Sequence, residues 1–403
     1  MTATDARSVY SSRGSETGEL ISTVFAKLRR RDQLRKAQQY VYGLLEAPGR
    51  KSIRNIAALT GDRTAVQSLQ HFVSSSPWHW NDPRVALARY AEDLVRPDIW
   101  VVRPMVIPKF GSHSVGVTQR RFPHQRRPVN CQEAYGVWLT SETSSVPVHW
   151  RLHLPSEWLE APERRRAVGI PDTARAEPPP HSAACSAIEI SGPEWGLSQR
   201  PVVLDCGEDT EGVGVAALLA ARLPFLARIG GATAVIPRDG TGVRGSVRGP
   251  QSAEHLSEGA ARQHRVVEWV DPALGLRRRS LAGVVPVVLP AADSGTPRGT
   301  LLLRYLFLLS EQEPLQTRPT AFWLTNLGDT SAETLVRLTK VVRRVHRDFS
   351  EVTDAVGIRD FEGRTYPGWH RHTTLASVAH AATMVRRRAG APATPQYQGP
   401  AMP

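Results

Sequence analysis

Pro201-Val202-Val203-Leu204-Asp205 is the stretch on which the fold turns. A short apolar run behind a proline reads as a buried strand, and this one ends in a carboxylate. A helix follows to about residue 222, then a strand at 225–229. Upstream, 99–102 is a short buried strand, and 114–118, 134–139 and 148–154 read as further strands. The last alternates Val148, Trp150, Leu152 and Leu154, as a half-buried strand should. Residues 171–185 are rich in Pro, Ala and Ser and read as loop.

Further out, the texture becomes helical. The apolar stripe Leu20, Val24, Leu28, Val41, Leu44 and Leu45 predicts a helix over 19–45. Its other side carries Lys27, Arg29, Arg30, Arg31, Arg35 and Lys36, a solvated face or one that contacts phosphates. Ser52 can cap a short helix ended near Gly61, and 64–73 reads as its partner in a helix-turn-helix arrangement. Another helix starts at Asn81-Asp82-Pro83. Downstream, 231–300 is rich in Gly, Arg and Pro and reads as an insertion of small β elements and loops. Strands return at 301–309 and 320–327. Thr330-Ser331-Ala332-Glu333 is a capping box that opens a long helix ended by Gly357, and a last helix spans 373–388. The organisation is therefore mixed α/β: 1–18 disordered, 19–95 a helical DNA-binding domain, 96–230 and 301–389 two parts of one core, 231–300 an insertion, and 390–403 a disordered tail.

The 403 residues carry a net charge of +13, with Arg far outnumbering Lys. Guanidinium groups suit bidentate phosphate contacts, so a polyanion is the expected partner and double-stranded DNA the first choice. No apolar run is long enough to span a membrane, and the expectation is a cytoplasmic, nucleoid-associated protein. Cys131, Cys185 and Cys206 lack CxxC spacing, so no metal site is expected from them.

Three strands, a carboxylate-ended strand and a late long helix are the layout of an RNase H-like core. Local motifs point the same way. Asn130-Cys131-Gln132, Leu152-His153-Leu154-Pro155 with Trp158, Ser114-Val115-Gly116-Val117, Phe322-Trp323-Leu324-Thr325-Asn326-Leu327, and Asp360-Phe361-Glu362-Gly363-Arg364 with Gly368-Trp369-His370 occur in order. Together they resemble one branch of the bacterial insertion-sequence DDE transposases. The resemblance implies an RNase H-like fold, paired action on DNA ends as a homodimer, and three magnesium-binding carboxylates. Carried over position by position, the first Asp falls on Arg103, the second on Asp205, and the Glu on His346. Arg cannot ligate a metal, and one carboxylate with one imidazole does not make a two-metal centre. Asp205 also reads as an ordinary turn cap.

The expectation is a transposase-derived DNA-binding protein without strand-transfer or nuclease activity. It needs no cofactor, and Arg103 and His346 would pair with Asp205 and neutralise it. The alternatives are an active nuclease with a rearranged Mg²⁺ site, an inactive insertion-sequence remnant, and a repurposed metal-free enzyme using Asp205 and His346 on a small molecule.

Overall fold

The structure is a computed structural model that describes residues 15–62, 64–121, 127–207, 209–238, 249–290, 306–313 and 316–389. The expected tail at 390–403, most of the expected disordered N-terminus and parts of the 231–300 insertion lie outside these residues.

The chain begins with helices. The predicted 19–45 helix is two: α1 (Ser15–Val24) and α2 (Arg31–Glu46). The apolar periodicity continues through the break, where Phe25 is buried, but Arg30 is extended (φ −112°, ψ 132°) and stops the helix. α3 (Ile53–Ala58) and α4 (Ala65–Ser74) follow. The Ser52 hydroxyl accepts the Asn55 N–H (3.2 Å), as its capping role requires. Asp62, rather than Thr64, supplies the acceptor before α4. α5 (Asn81–Val95) completes the set.

The sheet then starts with β1 (Ile99–Pro108), β2 (Thr118–Arg120), β3 (Val129–Thr140) and β4 (Ser145–Leu152). Residues 114–117 form a turn, not a strand, because Gly116 takes φ +75° and the Val117 N–H closes on the Ser114 carbonyl (3.2 Å). Short helices α6 (Ser156–Leu159) and α7 (Pro162–Ala167) lead to α8 (Pro179–Ile190). Much of the expected 171–185 loop is thus helical: prolines at the first helical positions start a helix without a missing bond. β5 (Val202–Leu204), α9 (Val213–Ala220) and β6 (Phe225–Ile229) follow. β5 runs parallel to β1 and to β6, while β3 is antiparallel to both β1 and β4. The order β4-β3-β1-β5-β6 is that of an RNase H-like core.

The insertion does not stand apart from this sheet. β7 (Ala234–Pro237), β8 (Gln251–Ser252), α10 (Ala253–Gly259), β9 (Arg265–Val270) and β10 (Arg277–Val288) join β11 (Leu306–Gln312) and β12 (Ala321–Thr325) beyond β6. Among the described residues, one twelve-stranded sheet results. The late helix is α11 (Ala332–Asp348), opened by Ser331 accepting from Thr334 N–H (3.2 Å) and prolonged by a π turn at Phe349–Thr353.

α12 (Tyr366–Arg388) begins earlier than predicted because Thr365 caps it through Gly368 N–H (3.2 Å). It is buried on all sides for most of its length and packs on α1, α2, α4, α5 and β4. It therefore ties the N-terminal helices to the sheet. An all-round buried helix is normally apolar; this one carries His370, Arg371, His372 and His380, and each has hydrogen-bond partners. From α5, the fully buried Arg84 guanidinium donates to Thr374 Oγ1 (2.8 Å), Trp150 O (2.8 Å), Thr373 Oγ1 (3.0 Å) and His370 Nδ1 (3.1 Å).

Candidate active site and nucleic-acid surface

Three parallel strands bring one row of side chains together. Val102, Leu204 and Ala227 are the last residues in register across β1, β5 and β6. One position further along stand Arg103, Asp205 and Arg228. A carboxylate is thus flanked by an arginine on each neighbouring strand. The backbone locks this row, with Asp205 N–H donating to Val102 O (3.1 Å).

Arg228 Nη1 donates to Asp205 Oδ1 (3.1 Å). Asp205 is buried whereas Arg228 is 46% exposed, so the guanidinium also faces solvent. α11 supplies His346, whose Nε2 lies 3.9 Å from Asp205 Oδ2, beyond hydrogen-bond range. Burial, then the nearby Arg103 charge, lowers the His346 pKa, with Asp205 pulling the other way. The lowered pKa works against the charged form that an ion pair with Asp205 needs.

The sequence brings Arg103, Asp205 and His346 into one place, but the expected Arg103–Asp205 pair does not form. Arg228 takes that role. The Arg103 guanidinium instead lies over the Phe349 ring, 4.2 Å from its centroid, and its Nε has no hydrogen-bond partner among the described residues. Burial lowers its pKa, while Asp354 and Asp205 support the charge. Arg359 also lies over Phe349 (5.4 Å) and pairs with Asp354.

These residues do not fit a magnesium centre. Mg²⁺ takes oxygen ligands in near-octahedral geometry and is repelled by fixed cations. Here one carboxylate stands where a two-metal centre needs several, and an arginine stands beside it on each neighbouring strand. Nearby carboxylates are engaged elsewhere. Asp209 caps α9 through Val213 N–H (3.0 Å) and Gly214 N–H (2.8 Å). Asp348 is fully buried and accepts from Ser145 N–H (2.9 Å) and Arg344 Nε (2.9 Å). Glu133 binds Tyr135 Oη (2.7 Å) and Arg120, and Glu351 binds Arg347 (2.8 Å). Asp98 precedes β1, at the end away from Arg103, and Glu208 is outside the described residues.

His370 and His372 are buried in the packing around α12. They diverge as i, i+2 helix positions must: His370 stacks on Trp80 (4.8 Å), and His372 meets Tyr40 Oη (3.0 Å).

The basic N-terminal residues divide. Lys27 pairs with Asp82 (3.1 Å) and Lys36 with Asp32 (3.7 Å). Arg29, Arg30, Arg31 and Arg35 are exposed and make no ion pair among the described residues. They cluster at the break between α1 and α2.

Sequence reasoning missed Arg228, although a lone Arg in the otherwise apolar Phe225-Leu226-Ala227-Arg228-Ile229 was a signal. It read a short strand at 265–269, which is β9, but missed its hairpin partner β10. Asp271 at the hairpin turn is fully buried and pairs with Arg278 (3.1 Å) and with Arg343 of α11 (2.9 Å). Trp269 lies under Lys340 of the same helix (4.7 Å). The hairpin is thereby fastened to the helix that carries His346. A groove of about 620 Å³ lies beside it, lined by Trp269, Arg277, Arg279 and Arg337 among others, and does not include Asp205.

An RNase H-like sheet with a candidate site in the middle of β1, just past the end of β5 and on a late helix defines a nuclease-type architecture. The chain belongs to the DDE superfamily endonuclease family, whose sequence model matches residues 23–283. That span includes Arg103, Asp205 and Arg228 and stops short of His346. No curated protein matches the chain significantly. Among the described residues, no helix is long and apolar enough to cross a membrane.

Proposed function

We propose that this protein is a transposase-derived DNA-binding protein that does not cleave or join strands. The observation that carries this reading is the row Arg103–Asp205–Arg228, in which side-chain cations occupy both sides of the remaining carboxylate. Two-metal phosphoryl transfer requires divalent ions to stabilise the attacking and leaving oxygens. An arginine neutralises charge but cannot lower the pKa of a bound water in that way. Phosphate affinity survives this exchange; metal-dependent hydrolysis does not.

Other features support DNA as the partner. The chain carries +13. Arg29, Arg30, Arg31 and Arg35, exposed and without an ion pair among the described residues, offer phosphate contacts. The exposed side of α4 presents Gln67, Gln70 and His71, polar groups suited to base edges in a major groove. A homodimer on paired DNA ends, and association with the nucleoid, extend the same proposal.

The test uses full-length protein and labelled duplex DNA. Binding by fluorescence anisotropy should weaken steeply as KCl rises and stay unchanged with EDTA. Incubation with Mg²⁺ or Mn²⁺ should give no cleavage. Absence of binding at low salt removes the DNA reading. Cleavage abolished by Asp205→Ala establishes an active nuclease instead.

A further inference from the structure

A second cluster lies away from this centre, at the start of α8. His181 and Cys185 stand one turn apart on α8, and Glu177 comes just before the helix, its carboxylate brought to the same two side chains. Cys185 Sγ is 3.5 Å from His181 Nδ1, and the same nitrogen is 3.7 Å from Glu177 Oε2. All three ligand atoms lie within 4.8 Å of one another. The search for CxxC spacing passes over this pattern, because the three donors differ in kind.

We propose that Glu177, His181 and Cys185 form a site for one zinc-type divalent ion. The distances carry the argument. Zinc bonds of about 2.3 Å to sulfur and about 2.0–2.2 Å to nitrogen and oxygen, in tetrahedral geometry, set ligand–ligand edges of roughly 3.6 Å (S···N) and 3.4 Å (N···O). The two edges that meet at His181, 3.5 and 3.7 Å, match within a few tenths of an ångström, and the third, Cys185 to Glu177, is within 4.8 Å. One imidazole nitrogen faces both other donors, as the ligating atom of a shared ion must.

The surroundings suit an ion. Pro178, Pro179 and Pro180 stiffen the link between Glu177 and the helix, with Pro178 extended (φ −59°, ψ 147°). Arg151 of β4 donates to Glu177 Oε2 (2.9 Å) and Ser182 Oγ (3.3 Å), which orients the carboxylate over the first turn. Arg151 also pairs with Glu189, so its charge is balanced from outside the cluster. A thiolate and the Glu177 carboxylate balance the two charges of the ion. On binding, the Cys185 S–H bond breaks, its proton passes to solvent, and a sulfur–metal bond forms. Glu177 and His181 enter without losing protons, water leaves the hydrated ion, and one water keeps the fourth position. No oxidation occurs. The ion would clip the segment before α8 onto the helix, independently of the DNA reading.

The test is a CoCl₂ titration of full-length, chelator-stripped protein in excess Mg²⁺. A thiolate-to-cobalt charge-transfer band and the visible bands of a four-coordinate ion should saturate at about one equivalent and bleach with ZnCl₂. Cys185→Ser should abolish the charge-transfer band. His181→Ala and Glu177→Gln, at partly exposed positions, should weaken binding at least about tenfold. Cys131→Ser and Cys206→Ser should leave the cobalt titration unchanged. No thiolate band with the folded wild-type protein, or a band that survives Cys185→Ser, overturns the proposal.

Discussion

Acid should unfold this protein well above the pH at which its carboxylates titrate, because α12 buries neutral histidines. His372 and His380 are fully buried, and burial lowers each to about 4 from an ordinary 6.5. Each is satisfied as one neutral tautomer. His380 Nε2–H donates to Ser145 O (2.8 Å) while Nδ1 accepts from Thr353 Oγ1 (2.9 Å). His372 Nε2–H donates to Gly357 O (3.0 Å) while Nδ1 accepts from Tyr40 Oη (3.0 Å). In the unfolded chain both take a proton near pH 6.5; in the fold neither does until about pH 4. The unfolded state therefore binds more protons across that window. Stability is full above 6.5 and drains as pH falls towards 4. Between pH 7.5 and 5 the loss is about 2 kcal/mol per histidine, or about 4 kcal/mol for the two. His370, held well below its ordinary value by burial and the Arg84 charge, adds to it. Urea unfolding followed by far-ultraviolet circular dichroism at pH 7.5, 6.5, 5.5 and 5.0 reads the effect. His380→Gln should flatten the dependence by up to about 1.4 kcal/mol per pH unit. A midpoint that stays constant down to pH 5 refutes the reasoning.

Three further outcomes follow from the site and its supports. Asp205→Asn removes the only negative member of the Arg103–Asp205–Arg228 row; DNA affinity should rise and the log–log salt slope steepen by roughly one, whereas unchanged anisotropy curves place the row away from DNA. Arg103→Asp combined with His346→Glu should create a Mn²⁺-dependent rise in melting temperature that neither single variant shows; no rise in the double variant argues against these as the metal positions. Gly136→Ala puts a methyl group 2.6 Å from the Trp150 ring and should cost about 2 kcal/mol in chemical denaturation, without changing DNA binding at permissive temperature.

The sheet centre was legible because its strands are short, apolar and bounded by turns. Val202-Val203-Leu204 has no helical alternative of its own, and Asp205 marks its end. The Ser331 cap was legible because a cap is a local hydrogen bond between neighbours. What escaped depends on distant partners. The 19–45 periodicity runs through a break because Phe25 and Leu28 go on packing inward after the backbone has turned. Residues 178–180 read as loop by composition, although three prolines at a helix start are sterically compatible with α8. The buried polar side of α12 has no one-dimensional signature. Arg371, for example, is satisfied by the carbonyls of Trp78 and Val73, almost three hundred residues away in sequence. Arg228 was hidden for the same reason, since only strand pairing reveals that it faces Asp205.

The proposed loss of metal chemistry has a structural logic beyond substitution at two positions. An exchangeable ion can leave, so a site that depends on one is conditional on its supply. Here the positive charge belongs to the chain. Arg228 is held by Asp205, Arg103 rests on Phe349 in the π turn after α11, and α11 itself is fastened to the β9–β10 hairpin through Arg343 and Asp271. Such cations are fixed in position and half open to solvent at Arg228. They are pre-organised for a phosphate and cannot activate water as a metal ion does. On the proposed reading, a surface built in this way would hold DNA with an affinity set by salt and not by magnesium. That separates it from a nuclease whose ligands are merely weakened: a weakened site regains function as divalent ion is raised, and this one, on the proposed reading, does not respond to divalent ion except through ionic strength.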